Sequence, residues 1–139
     1  MSISQVMPED TTFSFRTKLA ARLAVLVARW LKNKPPKKIQ TVLRRLSKGA
    51  RPAGYDEAAR ARDFVVGTSL LCTGPEGCLP RSIATAVLCR LQGTFPTWCA
   101  GVRVTPPFGA HAWVVAEGRD VGEPYPPGYH RVLLKVEPR

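Results

Sequence analysis

Apolar residues recur at helical spacing from Lys18 to Lys32. At 100° per residue with Lys18 at 0°, Leu19, Leu23, Leu26, Val27 and Trp30 fall between about 80° and 180°. Arg22, Arg29 and Lys32 lie within about 40° of Lys18 on the same scale. This predicts an amphipathic helix with one apolar stripe to pack and a separate basic stripe. Asn33, Pro35 and Pro36 stop it, because proline lacks the N–H and restricts the residue before it. A second amphipathic helix is predicted from Pro36 to Lys48. Its apolar positions are Ile39, Val42, Leu43 and Leu46, Lys37, Arg44 and Lys48 lie opposite, and Gly49 and Pro52 end it. A third is expected over Asp56–Leu71, where Asp56 and Glu57 suit the positive end of a helix dipole.

After Cys72 the pattern changes. Thr73 to Gly77 is turn-rich, and Leu79, Ile83, Ala86, Val87 and Leu91 then repeat at helical spacing up to Gly93. Pro80 marks that helix's first turn, where its missing N–H costs nothing. From Trp98 the chain reads as extended: Trp98–Val104, Ala110–Ala116, a short Asp120–Glu123 and Tyr129–Glu137 are predicted strands, with a turn at Glu117-Gly118-Arg119. One helix ahead of an antiparallel meander is an α+β fold. The expected organisation is a basic helical region over residues 1–55 and a catalytic region over 56–139, packed as one domain.

Length and composition agree with a single folded unit. The chain has 139 residues, 45% of them apolar, which suffices for a hydrophobic core without a disulfide or structural metal and excludes wholesale disorder. The net charge of +11 is uneven: residues 1–51 hold twelve basic and two acidic residues, and residues 52–139 hold nine and eight. The basic stripes have three readings: solvated helix faces, a docking surface for an acidic partner, or a nucleic-acid surface. The last is disfavoured, because no aromatic residue is interleaved with the charges apart from Trp30, which belongs to the apolar stripe. The polar start from Met1 to Thr12 lacks the pattern of an export signal, and Leu19–Leu31 is too short and too interrupted to span a bilayer. A cytoplasmic location with free thiols is therefore expected for Cys72, Cys78, Cys89 and Cys99.

Cys78 falls at or just before a helix N-terminus, where unpaired N–H groups and the dipole favour a thiolate. It reads as a nucleophile or as a structural thiol; Cys89, in mid-helix, reads as core. A histidine on a following strand, His111, is the candidate base, with a satisfied core histidine as the other reading. His130 has a polar-turn context and no motif. No cysteine pair has the usual zinc spacing, so neither a metal nor a cofactor is expected.

The blocks Gly77-Cys78-Leu79-Pro80-Arg81-Ser82, Gly101-Val102-Arg103 and Pro107-Phe108-Gly109-Ala110-His111-Ala112-Trp113 resemble the signature of the lasso peptide maturation proteases. These are transglutaminase-like leader peptidases of bacteria. The resemblance implies a transglutaminase-like, papain-like cysteine protease core, a helix against an antiparallel sheet, preceded here by N-terminal helices. It implies a hydrolase of peptide biosynthesis that cuts the leader from a ribosomally made precursor peptide, with Cys78 as nucleophile and His111 as base. The implied partners are the precursor, a separate leader-binding protein (the split form, since no winged-helix pattern precedes the catalytic region) and the ATP-dependent macrolactam cyclase. The alternative is a transglutaminase-like acyl transferase or a scaffold without chemistry.

The family usually presents an Asp twelve residues after the histidine; here that position is Glu123. Asp120 is the rival. A two-residue loop at Glu117-Gly118 would pair Val115 with Asp120 and leave Asp120 about 13 Å along the ladder from His111. A three-residue loop would pair Trp113 with Glu123, one diagonal from His111. Glu123 is expected as the third member through the second register. Arg81 and Ser82 belong to the motif without a deduced role. Trp113 lies on the His111 face, as cleft wall or as core.

Overall fold

The computed structural model describes residues 8–139, and the side chains from Phe15 onward apart from Pro75. Residues 1–7 lie outside it, and with them most of the polar start weighed against an export signal. Helix α1 runs Pro8–Leu31 and α2 runs Pro36–Ser47. A short strand β1 (Arg51–Pro52) precedes α3 (Tyr55–Thr68), and two 3-10 turns at Leu70–Cys72 and Pro75–Gly77 lead into α4 (Cys78–Leu91). Strands β2 (Thr94–Phe95), β3 (Thr97–Arg103), β4 (Ala110–Ala116), β5 (Arg119–Asp120) and β6 (His130–Val136) complete the chain. The α+β class follows.

The proline pair acts as expected: Pro36 occupies the first turn of α2, and Lys38 and Ile39 donate to the Pro35 carbonyl at 2.9 and 3.1 Å. Glu57 accepts from the Gly54 N–H at 2.7 Å and anchors the start of α3, while Arg51 pairs with its other oxygen at 3.0 Å. Helix α3 ends at Thr68, before the predicted Leu71, because the chain tightens there into the Leu70–Cys72 turn. The small parallel pairing of β1 with β2 was not legible in the pattern.

Four strands form an antiparallel sheet in the order β5-β4-β3-β6. Helix α4 is buried from Ser82 to Cys89, as befits an apolar helix enclosed by α1 and α3 on one side and the sheet on the other. Ile83, Leu88, Phe95, Trp98, Val114 and Val136 belong to the core so formed.

Helix α1 departs from expectation. Most of the predicted apolar stripe does not pack inward: Leu19, Leu23, Leu26 and Trp30 are exposed, as is Phe15, and only Val27 of the stripe is half-buried against the core. The buried face consists of Ala21, Ala24, Val25, Ala28 and Leu31. Small residues let α1 approach α3 and α4 closely, and interaxial distance depends on the side chains at the contact. Among the described residues, no helix is long and apolar enough to cross a membrane.

Candidate active site

Cys78 is the first residue of α4. The loop beneath it folds tightly because Gly77 has no side chain: a Cβ there would lie 2.8 Å from the Leu71 carbonyl oxygen. Arg81, one turn into α4, donates to the carbonyls of Cys72 and Gly74 at 3.2 and 3.1 Å, so its guanidinium ties that loop to the helix. Ser82 donates to the Leu79 carbonyl at 2.9 Å and accepts from Trp98 Nε1 at 3.0 Å, which fixes the helix tip against β3. These are the roles of the two motif residues that sequence reasoning left open.

His111 is the second residue of β4, opposite Gly101 of β3. Its Nε2 lies 2.5 Å from Glu123 Oε1, in a pocket where both side chains are nearly buried. With Nε2 so engaged, Nδ1 is the ring nitrogen left for Cys78. Burial alone would raise the Cys78 thiol, but the hydrogen bond to His111, another from the Ala112 N–H, and the nearby charges of His111 and Arg81 hold it below the ordinary range. Burial alone would lower His111, yet its bonds to Cys78 and Glu123 raise it to about 9. The geometry therefore favours a thiolate–imidazolium pair with a carboxylate behind the imidazolium.

Glu123 reaches His111 by a route other than the expected one. The β4–β5 hairpin has the two-residue loop: Ala116 pairs with Arg119 and Val115 with Asp120, and both loop residues, Glu117 and Gly118, have positive φ. The ladder continues to Val114, whose carbonyl accepts from Val121 at 3.0 Å. Carried further, it would set Glu123 opposite Ala112, on the wrong face of β4. Gly122, at φ +67°, breaks the extended run and redirects Glu123 to His111. A Cβ there would also sit 2.8 Å from the Arg62 guanidinium. Asp120 stays on its strand, exposed, opposite Val115.

Three aromatic neighbours were not foreseen. His130 stacks on His111 with centroids 4.4 Å apart and planes at 21°, and Tyr125 meets the His111 ring edge-on at 5.7 Å. Tyr129 stacks in turn on Tyr125. On β6, His130 pairs with Arg103 of β3, so it shares a face of the sheet with Gly101 and His111, and the glycine puts no side chain between the two imidazoles. Only the strand order could have revealed this. Burial, and then the positive charge of His111, lower the His130 pKa. Trp113, buried, stacks on His111 at 5.5 Å and lies 5.3 Å from His130, so the three rings form one cluster.

An open, largely apolar cleft of about 590 Å³ reaches both Cys78 and His111. Leu79, Trp98, Ala100 and Leu134 line it, and Lys32, Lys34 and Lys37 stand at its rim. The other thiols are unlike Cys78. Cys72, Cys89 and Cys99 are free and buried, and burial pushes Cys89 up to about 12 and Cys99 up to about 11. Among the described residues, no group of three or more His, Cys, Asp or Glu side chains is placed to hold a metal ion.

The sequence model of the transglutaminase-like superfamily matches residues 21–135, a span that begins within α1 and takes in the Cys78–His111 core. No curated protein and no solved structure matches the chain.

Proposed function

The chain belongs to the transglutaminase-like superfamily, and from that premise we propose that it is a cysteine peptidase that removes the leader from a lasso precursor peptide before macrolactam formation. The observation that carries the chemistry is the line of three side chains: Cys78 at the α4 tip, His111 beside it, and Glu123 Oε1 2.5 Å behind His111 Nε2. What points to lasso precursors is the motif resemblance around Gly77–Ser82 and Pro107–Trp113.

In this reading the Cys78 thiolate attacks the carbonyl of the last leader residue. The tetrahedral oxyanion is met by the N–H of Cys78 at the helix start, where the dipole also favours negative charge. His111 gives its proton to the departing core amine as the C–N bond breaks, leaving the leader as a thioester on Cys78. The now neutral His111 takes a proton from water, whose oxygen attacks the thioester. Collapse releases the leader carboxylate and restores the ion pair. Glu123 keeps Nε2 protonated and stabilises the imidazolium at both steps. The apolar cleft and its lysine rim suit an extended leader segment that carries apolar and acidic side chains.

The precursor is delivered by a leader-binding partner, which raises the effective concentration of the scissile bond, and the core passes to the ATP-dependent cyclase. The test is to incubate the chain with a lasso precursor and its leader-binding protein and read the products by intact mass. The wild type should yield free leader and free core. A Cys78→Ala variant, with folding verified by circular dichroism, should yield neither. Cleavage by that folded variant, or an amine adduct in place of free leader, would reject the peptidase reading, the second in favour of acyl transfer.

A further inference from the structure

Helix α1 is apolar on two opposite faces, and among the described residues only one is packed. Ala21, Ala24, Ala28 and Leu31 pack inward, whereas Phe15, Leu19, Leu23, Leu26 and Trp30 are between 49% and 66% exposed. The outer residues from Leu19 to Trp30 step by four, three and four, which is the spacing of alternating d and a positions in a heptad. Ala21 and Ala28 then occupy f, the position opposite the seam, and both are fully buried. A seam of this kind is about 60° wide and runs roughly 17 Å along the helix. Lys34 lies over the Trp30 ring at 4.8 Å and closes its C-terminal end.

From this we infer that the outer face of α1 is a docking seam for one amphipathic helix with acidic flanks, presented by a partner protein. The charge on the page selects that occupant. Arg22 and Arg29 fall at the g positions bordering the seam, both are exposed, and residues 15–31 contain no acid. Acidic residues at the facing e or g positions of a partner helix complete such a border. A second copy of this chain would bring +11 against +11, with no acid between residues 15 and 31 of either helix. A lipid surface would call for a broader apolar face than a seam of a and d positions. The inference deepens the partner side of the peptidase reading and rests on it only for what that partner delivers; the seam itself needs no catalytic chemistry.

The probe is a monomeric four-heptad peptide with leucine at a and d and glutamate at e and g, with a matched peptide carrying lysine at e and g. Each is titrated into the whole chain by calorimetry. The glutamate peptide should bind and the lysine peptide should not. Leu23→Ser with Leu26→Ser should weaken binding by about tenfold or more, since a leucine held in a buried seam is worth at least that factor. Arg22→Glu with Arg29→Glu should reverse the preference toward the lysine peptide. All four residues are exposed, so these variants leave the core intact, and Cys78 alkylation rates should match the wild type. Failure of the glutamate peptide to bind, or equal binding of both peptides, overturns the inference. So does dimerisation in sedimentation that Leu23→Ser abolishes, which would assign the face to a second copy. Binding to phosphatidylserine vesicles, lost in the leucine variants while the peptide stays unbound, would assign it to a membrane. None of these outcomes touches the peptidase reading, which falls only if folded Cys78→Ala still cleaves.

Discussion

Glu123 Oε1 stands 2.5 Å from His111 Nε2, although the hairpin register that precedes it aims that residue toward Ala112. The contact exists because one residue, Gly122, takes a left-handed conformation between the end of β5 and the carboxylate. The charge of Glu123 is among the causes that raise His111 to about 9.

Glu123→Gln keeps the shape and removes the charge. Without its counter-ion the imidazolium is less stable, so the His111 pKa falls from about 9, and the thiolate that leans on that imidazolium is lost more easily. The pH profile of cleavage should narrow from both sides: the acid limb moves up and the alkaline limb moves down. The two limbs belong to the coupled pair and not to single residues. Near neutral pH the rate should drop by about 10²-fold. An alkaline limb that stays in place would mean that Glu123 does not support His111.

Gly122→Ala tests the route. A side chain at φ +67° costs about 1–2 kcal/mol, and its Cβ must displace the Arg62 guanidinium, which can swing aside. Urea unfolding should show a loss of that size. Cleavage should fall by more than the unfolded fraction explains, because Glu123 is pulled off His111. Full activity and full stability in this variant would contradict the account.

The sequence was informative where a pattern has one physical solution. Ala110–Ala116, apolar apart from His111, becomes β4 without change of boundary, and Pro35-Pro36 breaks the helices at the expected point. Cys78 and His111 were legible from the helix-tip chemistry and the motif, and Glu123 was identified as His111's neighbour. Its register was misread, because a positive φ at Gly122 is a local choice that strand alternation does not encode. Helix α1 shows a different limit: periodicity finds an apolar stripe but does not say that the alanines opposite it allow the closer packing. His130 was missed because it meets His111 across β3, a neighbour relation that exists only after the sheet is ordered.

Thiol reactivity distinguishes Cys78 from the rest. At neutral pH iodoacetamide should modify Cys78 alone, since Cys72, Cys89 and Cys99 are buried and burial raises all three. Peptide mapping should place a single adduct in the native protein and all four after unfolding. Modification of Cys72 or Cys89 at a rate like that of Cys78 would argue against a selectively activated thiol.

Arg81→Ala removes two hydrogen bonds to loop carbonyls and a positive charge near Cys78. The expected cost is about 1–3 kcal/mol in stability. The acid limb of Cys78 alkylation should also move to higher pH, because the thiolate loses a favourable charge. A pure packing role would lower stability and leave that limb where it was.

In the proposed reaction the leader leaves as a carboxylate formed by water attack on a Cys78 thioester. Cleavage of a lasso precursor in water enriched in heavy oxygen follows that oxygen atom. Mass spectrometry of the products should find one heavy oxygen in the leader's new carboxylate and none in the core, whose new amine should be free. A leader without the heavy oxygen, or a leader joined to an amine, would contradict hydrolysis through Cys78.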